Sequence, residues 1–273
     1  MNANNDNTYA RGNLSWIYTS SIIIAILMTI ASLAGLISRA TIYPTEELVQ
    51  SFVPNDVVNL FIGLPILLVS MWLTRRGKLI GPLFWMGALF FVFYNYIGYV
   101  FASPLTWAFL LHLLLAVFSA YTFISLIANI DGESVSQRLT GTVPEKFAGG
   151  VLAGLGLLFT LRVIGVLVGV IINGTDLPRT ELAVNTADFF ISPAWIISGV
   201  QLWRRQQFGY VTGLGLLFQG SMLFIALIIF LLLQPLLTSA PFAIVDIVVI
   251  LVMGSICFIP FGLFVRGVTS NEK

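Results

Sequence analysis

Charge is the scarcest ingredient of this chain. Of 273 residues only 9% are Asp, Glu, Lys or Arg, and histidine and cysteine occur once each. A water-soluble domain carries about a quarter charged residues, so there is too little polar material here to cover a surface in water. The 13 basic and 12 acidic residues nearly cancel, and a net charge of +1 gives no reason to expect nucleic acid as a partner. The single cysteine, Cys257, excludes an internal disulfide. The single histidine, His112, has no H-x-x-x-H or E-x-x-H spacing around it, so neither a metal nor a cofactor is implied. G-x-S-x-G, P-loop and D-D-x-x-D sequences are missing as well. His112 and Cys257 fall at different depths, which disfavours a Cys–His nucleophile. Familiar enzyme chemistry has no foothold.

What is abundant is apolar sequence: 58% of residues are hydrophobic and the mean hydropathy is +0.97. A helix that crosses a bilayer needs about 20 predominantly apolar residues. Eight stretches qualify, over 16–38, 57–74, 79–101, 105–129, 149–173, 186–203, 209–235 and 243–266. The expected fold is an all-α integral membrane bundle of eight transmembrane helices, with the lipid bilayer as its first partner. The stretch at 16–38 is longer than the h-region of a signal peptide, so it reads as a retained anchor.

Basic residues in the connections orient such a bundle. Arg11, Arg75, Arg76, Lys78, Arg138, Lys146, Arg204, Arg205, Arg266 and Lys273 fall on one side, Arg39 and Arg179 on the other, and Arg162 inside a span. This places both termini in the cytoplasm of a cell whose plasma membrane holds the protein. The expected organisation is a cytoplasmic tail (1–15), a four-helix unit (16–130), a polar and partly mobile cytoplasmic linker (131–148), a second four-helix unit (149–266) and a second tail (267–273). On the outer side, Thr45 is positioned to cap a short helix with Glu46 and Glu47 in its first turn. Leu48, Val49, Phe52 and Val53 would share one face of it, so this stretch either lies flat on the membrane surface or forms an ordered loop.

Two stretches look like copies. Pro65, Ser70, Arg76 and Gly81 match Pro193, Ser198, Arg204 and Gly209 at a constant offset of 128, while Asp56 and Asp188 match with a four-residue slip. Four spans lie between the copies, so the halves would be parallel repeats about an axis along the membrane normal. The run from Asp56 through RRGK to YNYIGY, together with the later D-x4-P, LWRR and GY run, resembles a group of uncharacterised prokaryotic membrane proteins. The resemblance covers about two-thirds of the chain; it implies a multi-span bundle and brings no activity.

Ionisable groups inside a membrane are costly, and each is a candidate functional residue. Asp56 and Asp188 fall at the outer rim of their apolar stretches, Asn59 and Asp246 about a turn below, Asn95 and His112 deeper, and Arg162 near the midplane. Tyr96 and Tyr99 occupy the same outer third. Together they outline a polar cavity open to the outside. Arg162 follows Gly150, Gly154, Leu158, Gly165 and Gly169 at helical spacing, a stripe that would pack against protein. Its expected partner is Asp246 or Asp188, although both read about 10 Å shallower on a rise of about 1.5 Å per residue. His112, on a small-residue face with Ala108, Ala116 and Ser119, reads as a hydrogen-bonded packing residue, Asp56 as a helix cap, and Tyr94, Tyr96 and Tyr99 as an interfacial belt. Gln219 is placed to hydrogen-bond across helices. Three functions fit: a small-molecule or ion transporter or binding protein, an accessory or assembly subunit with a membrane-protein partner, and an intramembrane enzyme acting on a lipid-like substrate.

Overall fold

The computed structural model describes residues 9–270; the outer ends of both expected tails, including Lys273, lie outside the described residues. Within them the chain is helical, and the two strand-like residues, Ala10 and Ile130, form one isolated bridge. In chain order the helices are α1 (Ser15–Ile37), α2 (Arg39–Ile42), α3 (Glu46–Val58), a π-helical turn (Asn59–Gly63), α4 (Leu64–Arg75), α5 (Ile80–Ala102), α6 (Trp107–Asn129), α7 (Gly132–Leu139), α8 (Glu145–Asn173), α9 (Arg179–Trp203), α10 (Gln207–Leu237) and α11 (Ile244–Ser270).

Seven of these are long and apolar enough to cross a membrane: α1, the continuous rod Glu46–Arg75, α5, α6, α8, α10 and α11. The count falls one short of the expected eight because α9 does not meet that measure. It has 25 residues, but Asn185, Asp188, Ser192 and Ser198 are buried on it, so much of its polar content faces other helices. A helix covered on several sides needs less apolar surface than one facing lipid.

The helix ends follow local chemistry. Thr45 accepts a hydrogen bond from the Leu48 amide at 3.4 Å and carries Glu46 and Glu47 in the first turn, as the sequence predicts. The helix then does not stop. It runs through Pro54 and the π turn to Arg75 as a 30-residue rod, so the stretch 46–56 is the first third of a long helix and not a separate surface segment. The polar first turn conceals this start in a hydropathy reading. Gly174 ends α8 in the left-handed conformation (φ 60°). The connection 131–148 contains a packed helix: Asp131 caps α7, and Val135 and Leu139 are fully buried against α10.

Packing joins α1 to α3, α4 and α6, then α4 to α5 and α5 to α6, which closes a four-helix group. α8 packs on α9, α9 on α10, α10 on α11 and α11 on α8, which closes another. The groups meet through α5 against α10, α5 against α9, and α10 against α3. Close approach depends on glycines. A Cβ on Gly87 would strike the Gly215 carbonyl, and one on Gly215 would lie 2.6 Å from the Leu83 carbonyl. Gly199 seats the same way against Gly149 and Ala153 of α8.

The helical face used by α8 differs from the stripe expected. Gly149 and Gly156 lie against α9 and Gly150 against the Trp203 ring, whereas Gly154, Gly165 and Gly169 face open space. Successive contacts of Gly149 with Trp203, Gly156 with Ile196 and Arg162 with Asp188 run α9 antiparallel along α8.

Gly199→Ala would place a methyl 2.5 Å from the Ala153 amide nitrogen, and overpacking of this kind costs about 1–3 kcal/mol. Gly154→Ala meets nothing within 4 Å and should gain up to about 1 kcal/mol from helix propensity. Thermal unfolding of both variants in detergent should separate them in that order; equal stabilities would refute the assigned packing face.

Candidate functional site

Two carboxylates organise the interior, each carried on the helix that follows the first long helix of its group. Asp188 on α9 is 1% exposed. Arg162 of α8 donates from Nη1 to its Oδ2 at 2.5 Å, and the Tyr94 hydroxyl of α5 donates to its Oδ1 at 3.0 Å. The pair is closed at its acid end and open at its basic end, since the Arg162 side chain retains 45% exposure. Burying a lone carboxylate costs several kcal/mol, and a guanidinium in contact offsets it.

Asp56 on α3 is equally buried, at 1% exposure, and has a different solution. The Tyr43 hydroxyl donates to its Oδ2 at 2.7 Å and the Tyr99 hydroxyl to its Oδ1 at 2.8 Å. Asn59 donates in turn to the Tyr99 hydroxyl at 3.3 Å. On the α1 side Asp56 lies directly against Gly35, where a Cβ would collide with the carboxylate, and near Ser32. Tyr99 stacks on Tyr96 (5.2 Å between centroids), on His112 (4.7 Å) and on Phe52 (4.3 Å). No lysine or arginine pairs with Asp56 among the described residues. Three buried polar atoms around it are unpartnered: Ser32 Oγ, Tyr96 Oη and His112 Nδ1.

Between the two carboxylates runs a cavity of about 490 Å³. Ser51, Thr180, Glu181 and Gln234, near the starts of α3 and α9 and the end of α10, line one end of it; Arg162, Trp195 and Phe224 line the other. Tyr94, Asn95, Asn55 and Phe52 line it too. Phe52 also stacks on Tyr43 and Tyr99, so one ring separates the cavity from the Asp56 cluster.

Of the residues singled out from sequence, Arg162, Asp188, Asn95 and the Asp56, Asn59, Tyr99, His112 set are gathered around this region. Asp246 is not: it sits exposed in the first turn of α11 and pairs with no described residue. Arg162 therefore has Asp188 as its partner. The expected depth mismatch disappears because α9 begins at Arg179 and α3 at Glu46, well before their apolar stretches. On a rise of about 1.5 Å per residue Asp188 and Asp56 lie roughly 14–15 Å inside their helix ends, and Arg162 about 17 Å inside its own. Asp56 is no cap, since it lies inside a continuous helix.

Tyr96 and Tyr99 are at most 1% exposed and belong to the interior instead of an interfacial belt, and His112 packs on their rings with Nδ1 unbonded. Asn95 donates to the Phe91 carbonyl of its own helix at 3.0 Å. Gln219 does bond across helices, accepting from the Trp195 indole at 2.7 Å. Tyr43, Ser32, Gly35 and Phe52 were not marked as site residues. Tyr43 lies outside every apolar stretch, and the other three carry no feature that sets them apart from packing residues.

Arg162→Leu should destabilise the protein by about 3 kcal/mol, the lower end of the range for orphaning a buried carboxylate, because the arginine end of the pair is open. Adding Asp188→Asn should recover most of that loss. Unfolding in detergent measures both; a double variant no better than Arg162→Leu would contradict the pairing.

The chain matches no protein-family model, no curated protein and no solved structure, so its function has to be read from this geometry.

Proposed function

We propose that this chain is a multi-pass protein of the plasma membrane that takes a small polar or amphipathic molecule, or an ion, into a cavity opening on the outer face, and that it acts as a transporter or binding protein. The observation that carries the reading is the cavity of about 490 Å³ lined by Arg162, whose guanidinium is held by the buried Asp188. That volume falls in the usual range for small-molecule sites, as does a mostly apolar lining with a few convergent polar groups.

The same reading includes eight crossings, both termini in the cytoplasm and two parallel four-helix repeats. The eighth crossing is supported by the antiparallel run of α9 along α8 from Trp203 to Asp188. The repeat is supported by local geometry at the offset of 128. Arg76 and Arg204 end their helices at φ, ψ of −80°, 2° and −81°, 3°. Gly77 and Arg205 follow with positive φ of 70° and 58°. A Cβ on Gly81 would strike the Thr74 amide, and one on Gly209 the Leu202 amide. Gly87 and Gly215, also 128 apart, touch each other, as residues flanking a two-fold axis would. Paired, Pro-containing helices from repeated halves are a common setting for a transport site.

Cysteine accessibility tests cavity and topology together, on a Cys257→Ser background. Gly98 lines the cavity, and a Cβ there meets nothing within 4 Å, so Gly98→Cys fits without strain. In intact cells a membrane-impermeant thiol reagent should label Gly98→Cys and Asp176→Cys, and spare Gln206→Cys and Gly154→Cys. An unlabelled Gly98→Cys would mean a closed interior whose polar groups only hold the bundle together, as in an assembly subunit. Labelling of Gln206→Cys with sparing of Asp176→Cys would invert the topology.

A further inference from the structure

We propose that Asp56 is a proton-binding site, a carboxyl that takes up and releases one proton within the bundle. The argument starts from an imbalance between the halves. Asp188 has a guanidinium at 2.5 Å. Asp56, as deeply buried, faces only neutral partners. A bare carboxylate in such a setting is expensive unless a cation joins it.

Every element packed on this part of α3 leads to the same conclusion. α1 contributes Ser32 and Gly35, neither ionisable. α2 carries Arg39, which is exposed and forms no ion pair with Asp56. Tyr43, between α2 and α3, and Tyr99 of α5 donate to the carboxylate; Tyr96 of α5 and His112 of α6 stand behind Tyr99. α10 carries no ionisable residue beyond Tyr210, near its start. α9 meets the start of α3 where the Thr180 hydroxyl donates to Glu47, about two turns and more above Asp56. The proton is therefore the cation that fits. A metal ion needs several ligands, and among the described residues no group of three or more carboxylates, histidines or cysteines gathers to hold one.

The surroundings suit both states of the carboxyl. Ionised, it accepts from Tyr43 and Tyr99, one donor to each oxygen. Protonated, it is neutral and its O–H requires an acceptor, and Ser32 Oγ is unpartnered beside it, with Tyr96 Oη and His112 Nδ1 one layer further out. Uptake forms one O–H bond with a proton from water, and release returns that proton to water, so the local charge alternates between −1 and 0. The route from water is short: Asn55, the preceding residue, lines the cavity, and Phe52 is the ring between cavity and cluster. The π turn at Asn59–Gly63, directly below, is a place where a helix can change its register.

Infrared spectroscopy of the full chain in liposomes, titrated with acid and base, tests this without any ligand. The wild-type spectrum minus that of Asp56→Asn, in which the bands of the other acidic side chains cancel, should contain a protonated-carboxyl C=O band that appears and disappears with pH. That band should be missing in Asp56→Asn and retained in Asp188→Asn. Tyr99→Phe removes one donor to the ionised form, so it should move the midpoint upward by about one pH unit or more. It also decides the matter should Asp56→Asn fail to fold. A titrating band unaffected by either substitution, or a carboxyl band that never titrates, would overturn the proposal. The cavity reading stands or falls separately, on labelling of Gly98→Cys.

Discussion

A carboxylate buried inside a long helix must be neutralised where it stands, and much of the interior is arranged around doing so twice. Asp188 is neutralised by a cation carried in on α8, and its second oxygen by Tyr94. Asp56 is met by hydroxyls alone. The two groups of helices thus share a plan, a carboxylate on one long helix facing the long helix before it, and differ in what that neighbour presents. α8 presents Arg162; α1 presents Gly35 and Ser32. One carboxylate is held as an ion pair with an open basic end, and the other is left able to change its charge.

Small residues make this possible. Helices must approach closely for a tyrosine hydroxyl or a guanidinium to reach a carboxylate on the next helix, and close approach requires the absence of side chains at the crossing. Gly149, Gly156 and Gly199 bring α8 and α9 together, and their alignment delivers Arg162 to Asp188. Gly87 and Gly215 do the same for α5 and α10, and α5 then presents Tyr94 to Asp188 of the second group while Tyr96 and Tyr99 stay within the first. The remaining space between the groups is the cavity, bounded on one side by Arg162 and on the other by Phe52.

The broad architecture was legible in the sequence, because scarcity of charge and runs of apolar residues are properties of whole segments. Seven apolar helices are present where such runs were read. The continuity of the helices was not legible: the capped start at Glu46 reads as a short helix separate from the span after it, and Arg179 and Glu181 read as loop residues, yet both segments are the first turns of long helices. Measured from the apolar stretches alone, Arg162 looks too deep for its partner. The glycine spacing on α8 was read in the wrong phase for a similar reason, since Gly149 and Gly156 are as glycine-like in sequence as Gly154 and Gly165, and only the neighbour decides which are packed. Arg162 and Asp188 were identifiable as ionisable groups in apolar stretches. Tyr43, Phe52, Ser32 and Gly35 were not, because a tyrosine in a loop or a serine in an apolar helix acquires meaning only from what folds against it.

The account turns on two equally buried carboxylates neutralised in different ways. The most direct measurement is an experimental structure of the protein in a lipid nanodisc at side-chain resolution. It should place the Arg162 guanidinium on Asp188 with Tyr94 on the second oxygen, and Asp56 between Tyr43 and Tyr99 with no basic side chain or metal ion in contact. Arg162 turned away from Asp188, or a lysine, arginine or bound cation on Asp56, would contradict it.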